Sequence, residues 1–429
     1  MAFALYDNTA LHNAPTFPVA LDLASVASVC SADEQVHWLT LSTLVEDAVQ
    51  AQADEIHLEP DTDCLRLRMR SPFSFNEIRI ANPAEYMASL ALLETYLWSE
   101  VARGTARRAW FSYTLQSGPR LLQLDIVPTS RGDTYLITLL HQLKSPPARI
   151  DELAMNRSQQ NQLRHILKGK SGLLLLACDH PQARARTARA IAQELVAPDR
   201  KIACADIPGH PLLPRVTQVA MDNVAAPAQQ QLWPAICELG CDAIVNWHTG
   251  SDQMVQQLVR QASTCSLVVQ GLEVNSAAQA VDQLLTRGVR SEAIASSLSA
   301  VVIQRQLQCL CPYCRVPQAP DDQGTAWLAE YSPIRAGNIN DWLRHRMRSS
   351  FSVAEGCDRC HQSGRGNTLD LYAIVTLDED ITDALYKGDI RIALNRLRQI
   401  NPMTRDLMRL AQEGIIALAE ARRIAPAQA

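Results

Sequence analysis

Glycine is scarce in this chain: 17 of 429 residues, roughly 4% where soluble proteins average about 7%. Phosphate-cradling loops and tight turns rely on glycine, so the shortage weighs against a nucleotide-handling enzyme. Long hydrophobic runs are missing too. The longest, such as Gly172 to Cys178, have the length of a strand and fall far short of the about 18 apolar residues a spanning helix needs. Nor is there an excess of positive charge, with 40 Lys and Arg against 45 Asp and Glu for a net charge of −5. No global field attracts a polyanion, and no nucleic-acid partner is expected. The N-terminus, Met1 to Asp7, has no basic start followed by an apolar segment, so no signal peptide is read and a cytoplasmic location is expected. What remains is a chain with 47% hydrophobic and 20% charged residues, which excludes wholesale disorder and fibrous classes. Its length suggests two or three domains at about 150 residues each.

Residues 1–35 show little periodicity and read as a tail. From Leu39 to Gln52 apolar residues recur at helical spacing, followed by alternating Ile56 and Leu58 and then Leu65, Leu67 and Met69, which predict strands. A helix near Tyr86–Glu100 and strands near 110–115, 121–127 and 134–140 complete an α+β domain over 36–147, closed by a linker at Lys144-Ser145-Pro146-Pro147. Over 148–305 the pattern becomes helix, short apolar strand, helix. Leu173–Ala177, Ile202–Ala205, Ala243–Val245 and Leu267–Val269 are unalternating, the signature of a parallel sheet covered on both faces. Amphipathic helices are predicted at Gln159–Leu167, Thr187–Leu195, Gln229–Leu239 and Gln253–Ala262. Beyond Ala277 the chain reads as helical to Leu310. A cysteine-rich region spans 306–366 and a helical region 367–429, in which Gly414 is the expected stop of a helix from Met403.

Twelve cysteines in a reducing compartment favour metal binding or plain burial over disulfides. Cys311-Pro312-Tyr313-Cys314 and Cys357-Asp358-Arg359-Cys360 form two C-x-x-C pairs, with positions 315 to 356 between them. Each turn aims two thiolates at one point, and two such knuckles complete a tetrahedral site for structural zinc. The intervening segment is longer than in a simple ribbon and is expected to form its own lobe. Two plainer readings stand beside this one: four ordinary buried cysteines, or a redox pair, for which neither C-x-x-C opens a helix after a strand.

The order of segments resembles the type II secretion and type IV pilus assembly ATPase family. Ala53-Asp54-Glu55-Ile56-His57-Leu58-Glu59-Pro60 is similar to that family's A-S-D-I-H-I-E-P. Ala295-Ser296-Ser297-Leu298, Gln304-Arg305-Gln306-Leu307 and Leu310-Cys311-Pro312-Tyr313-Cys314 resemble its A-S-S-L, Q-R-L-V and L-C-P-H-C, and Gly356 to Cys360 and Glu413-Gly414-Ile415 continue in register. The resemblance implies an α/β fold with a RecA-like P-loop NTPase core, an N-terminal α+β domain and a C-terminal zinc-bearing helical region. It also implies a hexameric cytoplasmic motor at the inner membrane.

The resembled nucleotide site is degenerate. Where the family has G-P-T-G-S-G-K-T, this chain has Cys178-Asp179-His180-Pro181-Gln182-Ala183-Arg184-Ala185. Ala183 replaces a glycine, Arg184 the phosphate-binding lysine and Ala185 the hydroxyl that binds Mg²⁺. Pro181 removes an N–H, and Asp179 is expected to act as an unpaired carboxylate repelling the triphosphate. Asp206 is what remains of an acidic box. Asp242 stays in the Walker B-like segment, but Trp247 replaces its glycine and His248 its catalytic glutamate, while Glu273 lies in a former histidine box without histidines. Gln123 and Thr138 take the places of arginines that reach the nucleotide from the N-terminal domain. The resemblance therefore implies a machine component whose hydrolysis is lost or feeble, with an inner-membrane platform protein and an active ATPase paralogue as partners in a homo- or hetero-hexamer. A weak or unconventional ATPase using Arg184, Asp206, Asp242 and His248 stays open beside it, His248 being able in principle to serve as a base.

Overall fold

The computed structural model describes residues 19–21, 31–51, 53–62, 64–71, 74–81, 83–98, 106–115, 118–142, 149–206, 211–220, 236–331, 351–360, 362–400 and 402–425. The linker at 144–147, most of the helix expected at 229–239, and residues 207–210 and 332–350 lie outside them. The chain divides into two compact units, Met1–Pro146 with Asp206–Leu212 and Ala220–Val224, and the remainder.

In the first unit, β1 (Val19–Leu21), β2 (Glu55–Pro60), β3 (Leu65–Ser71), β4 (Ser74–Ala81), β5 (Arg107–Leu115), β6 (Gly118–Thr129) and β7 (Gly132–Gln142) form one sheet. Their order is β1-β5-β6-β7-β2-β3-β4. Helices α1 (Ala32–Gln50) and α2 (Pro83–Leu97) supply Trp38, Leu41, Leu44, Leu90 and Leu93 to a core with Ile56, Leu58, Leu67, Leu124 and Ile137. Strand side chains alternate between faces. The motif at 53–60 therefore buries Ile56 and Leu58 and turns Glu55, His57 and Glu59 outward, where His57 meets Glu55 at 3.1 Å and Glu59 meets Arg68 at 3.1 Å. Part of the expected tail 1–35 belongs to this unit. Val19–Leu21 pairs in parallel with β5, and α1 begins at Ala32, where Ser31 and Glu34 form a reciprocal capping box.

The second unit is built on a sheet ordered β10-β9-β11-β12-β8-β13-β16. Its members are β8 (Gly172–Ala177), β9 (Ile202–Asp206), β10 (Thr217–Ala220), β11 (Ala243–Asn246), β12 (Leu267–Leu272), β13 (Leu298–Leu310) and β16 (Arg365–Val375). β9, β11, β12, β8 and β13 run parallel. Every residue of β8, β9, β11 and β12 is buried, as the unalternating apolar runs require. Helices α3 (Arg157–Leu167), α4 (Pro181–Glu194), α5 (Asp252–Thr264), α6 (Ala277–Thr286) and α7 (Ser291–Ser297) precede or connect these strands.

Two expectations are corrected here. The stretch to Leu310 is not helical throughout: after α7 the chain enters β13, where Val301, Val302 and Ile303 are buried and pair with β8 on one side and β16 on the other. The C-terminal region is not purely helical either, because β16 lies antiparallel to β13 and closes the sheet. The boundaries expected at 305/306 and 366/367 thus fall inside strands. Between them lie the two-stranded ribbon β14 (Arg315–Pro317) and β15 (Ser352–Ala354) and helix α8 (Asp322–Tyr331). After β16 come α9 (Glu379–Lys387), α10 (Ile390–Gln399), α11 (Thr404–Gln412) and α12 (Leu418–Ile424). Gly414, at φ +64°, takes the left-handed conformation that ends α11.

Candidate functional site

Ligands of open α/β sheets bind outside the carboxyl ends of the strands. At that end, β8 leads through Cys178, Asp179 and His180 into α4. A phosphate cradle turns backbone N–H groups outward to the anion. Here two of those donors are taken internally. The Cys178 N–H donates to Leu272 O at 3.0 Å, the Ala183 N–H donates to the His180 ring Nδ1 at 3.4 Å, and Pro181 has none. His180 is thereby the N-cap of its own helix.

Arg184 does not face solvent as a phosphate-seeking cation would. It is buried at 3% exposure, its Nε donates to Trp247 O at 2.7 Å, and its Nη1 donates to Cys178 O. Burial pushes its pKa down, opposed by the nearby Cys178, Glu273 and Asp179. Ala183 and Ala185 are buried beside it. The same burial pushes the Cys178 thiol up to about 12, so it stays protonated and unreactive. Asp179 is not the unpaired carboxylate expected from sequence: its Oδ2 lies 3.7 Å from Nη1 of Arg305 on β13.

At the ends of β11 and β12 the side chains pack on and bond to one another. The Trp247 and His248 rings stack with centroids 3.8 Å apart, and both residues are buried. The Asn246 side chain donates to His248 O and Gln270 Oε1, each at 2.9 Å, and Gln270 Nε2 donates to His248 O at 2.9 Å. Gly271 is required here because a Cβ would lie 2.3 Å from Trp247 O. Asp206 ends β9 and is buried, while Glu273 just after β12 is exposed. Asp242 does not join this group. It precedes β11, about 16 Å of strand from Trp247 at about 3.3 Å per residue, and its Oδ2 accepts the Lys201 backbone N–H at 2.8 Å. That placement sets its carboxylate apart from His248.

In the N-terminal unit Gln123 and Thr138 are cross-strand partners. Trp110 Nε1 donates to Gln123 Oε1 at 3.1 Å, Gln123 Nε2 donates to Asp125 Oδ2 at 2.6 Å, and Arg108 pairs with Asp125. Gln123 is thus held within its own sheet face.

The four cysteines of the two C-x-x-C turns converge. Cys311 and Cys357 sulfurs are 3.9 Å apart, Cys314 and Cys360 3.8 Å, and Cys357 and Cys360 3.7 Å; the ligand atoms of all four lie within 4.8 Å of one another. A tetrahedron of thiolates at about 2.3 Å from a central ion has edges of about 3.8 Å. At Cys360, burial raises the thiol pKa but is outweighed by the Cys357 and Gly364 N–H groups and neighbouring thiols, leaving it at about 6. Cys314 is pushed up to about 12, first by burial and further by the three other thiols. Four thiols gathered this closely form a donor set that suits a soft divalent cation. Across the two turns, the Arg359 guanidinium lies 4.1 Å from the exposed Tyr313 ring.

Sequence reading missed Asn246, Gln270 and Arg305 as participants. The signal for Arg305 was a charge just after the apolar Val301-Val302-Ile303; the two amides carry no local signal.

This parallel sheet, with a helix entering directly after its first strand, is the fold of pilus and secretion ATPases. The chain resembles the ATPase DotB of Yersinia pseudotuberculosis with a TM-score of 0.59 at 12% identity, over 93% of this chain and 95% of that one. It resembles the pilus retraction motor PilT, solved with bound ADP, with a TM-score of 0.53 at 13% identity, over 90% and 97%. Residues 31–423 match the family described as "Type II/IV secretion system protein", and the chain belongs to that family. Type II secretion system protein E of Aeromonas hydrophila is 23% identical over 386 residues, 89% of this chain and 74% of its own length. The type IV pilus assembly ATPase PilB of Thermus thermophilus is 20% identical over 400 residues, 92% of this chain and 44% of that protein.

Proposed function

We propose that this chain is a structural or regulatory subunit of a type II secretion or type IV pilus assembly machine, with the fold of its assembly ATPase but without effective ATP hydrolysis. The observation that carries this reading is Arg184, whose guanidinium is bonded to the carbonyls of Trp247 and Cys178 where an active site would keep a lysine free for phosphate. ATP and Mg²⁺ do not fit the residues present. The cradle has no hydroxyl at Ala185, its helix N-terminus is capped by His180, and phosphoryl transfer depends on positioning and charge stabilisation that these losses remove together. A weak ATPase has less support, because Asp242 lies at the other end of β11 and His248 is buried.

Family membership supports a cytoplasmic position on the inner membrane through a platform protein, and assembly as a homo-hexamer or together with an active ATPase paralogue. Among the described residues no helix is long and apolar enough to cross a membrane. Cys311, Cys314, Cys357 and Cys360 would hold a structural zinc ion. Four thiolates leave no open coordination position, so the ion would stabilise the fold and take no part in chemistry. The test is a titration with a fluorescent ATP analogue and Mg²⁺, followed by phosphate release with and without the platform protein's cytoplasmic domain. No saturable binding and no turnover is expected; micromolar binding with turnover would sink the proposal.

A further inference from the structure

We propose that Arg315 is the positioning residue of a clasp through which the four-cysteine knuckle holds the C-terminal helix α12 against the strand that carries Arg305, and so secures the degenerate loop at 178–181. The proposal rests on the structural-zinc reading for its metal arm alone.

The connections are continuous. Cys311 and Cys314 lead into β14, and β15 leads to Cys357. From β14, Arg315 Nη1 donates to Gly414 O at 2.8 Å. From β15, Ser352 lies against Gly414 so closely that an added Cβ there would meet Ser352 Oγ at 2.6 Å. Just before the first knuckle, the Leu310 N–H donates to Ile415 O at 2.8 Å and Cys309 bridges to Ile416. The chain between α11 and α12 is thus fixed to both arms of the knuckle. α12 is held at its far end as well, where Trp327 Nε1 of α8 donates to Ala425 O and Arg422 meets Asp321 at 3.3 Å. It packs against β13 and carries Glu420 and Arg423, paired at 2.8 Å, toward Arg305, the partner of Asp179. Among these charges Glu420 attracts Arg305, Arg423 repels it, and Asp179 attracts Arg423. The contacts reach the loop at 178–181 through the Arg305–Asp179 pair.

The test is amide hydrogen exchange on the full chain, read at 416–425 and 178–183, together with zinc content per chain. In Arg315→Ala, exchange at both segments should rise about tenfold while zinc content stays at its wild-type value. Arg315→Lys, which keeps one donor for Gly414 O, should restore part of the protection. Chelating the metal from wild type should raise exchange at the same segments and at the knuckle. Unchanged exchange at 416–425 and 178–183 in Arg315→Ala overturns the clasp whatever the metal content. Protein that holds no metal, and whose exchange is insensitive to Cys311→Ser, overturns the zinc reading, and the Arg315 arm then decides the clasp alone.

Discussion

The carboxyl end of the central sheet and the four-cysteine knuckle lie in the same unit and have opposite polar economies. At the sheet end, groups that would serve a ligand are taken by the protein itself: His180 caps α4, Arg184 bonds two carbonyls, and Asn246 and Gln270 bond each other and His248 O. At the knuckle, four sulfurs face one another at 3.7–3.9 Å in an arrangement that suits one soft cation. Side chains bonded to the protein itself are not available to a ligand, whereas four thiols gathered at one point form a donor set for one.

The comparison breaks most visibly at the knuckle. Cys311→Ser should reduce zinc from near one per chain to near zero and lower the thermal midpoint by about 10 °C or more, measured by metal analysis and calorimetry. At the sheet end, Arg184→Ala should cost about 2–4 kcal/mol in denaturant unfolding, because two buried carbonyls lose their donor and a long side chain leaves a void. Arg184→Lys should cost less, about 1–2 kcal/mol, since one ammonium replaces a planar fork across two carbonyls. It should bring no ATP turnover, because Pro181, Ala183 and Ala185 remain. Alkaline pH should loosen the same end. Burial raises the folded Cys178 thiol from the ordinary 9.0 to about 12, so its contribution to stability is full below about pH 9 and is lost as pH rises toward 12. Denaturant midpoints across that range check this, and Cys178→Ala should flatten the dependence. The smallest effect is expected at the knuckle's rim. Tyr313→Ala removes the ring under Arg359, and zinc transfer to a chromophoric chelator should accelerate about two- to fivefold.

Much of the fold was legible because its signals are local. The apolar runs of β8, β11 and β12 and the capped amphipathic helices between them declare a parallel sheet, and two C-x-x-C pairs declare a meeting point for four sulfurs. β13 was not legible. Val301, Val302 and Ile303 come shortly after α7 and are followed by Gln304-Arg305-Gln306-Leu307-Gln308, which suits a helix as well as a strand. Its strand state is set by β8 and by β16, which arrives later in the chain. Contacts of that range leave no periodic trace: Thr187 bonds Gln304 and Tyr372, 117 and 185 positions away, at 2.9 Å each. The degenerate loop was readable as a loss of phosphate-binding residues, but what replaced their function was not. Asp179 looks unpaired until Arg305 is placed beside it, and Asp242 looks like a retained catalytic acid until its carboxylate is found on the Lys201 amide.

The acceptors that hold Arg184 are main-chain oxygens, and under the proposed loss of hydrolysis this bears on how reversible that loss is over evolutionary time. No side-chain replacement at Trp247 or Cys178 deletes a backbone carbonyl, so glycine restored at either position would leave the arginine tethered. Drift at those positions is buffered. A return to nucleotide chemistry would have to begin at residue 184 itself and would meet a capped helix and a missing hydroxyl at its first step, so the route back passes through intermediates that gain nothing.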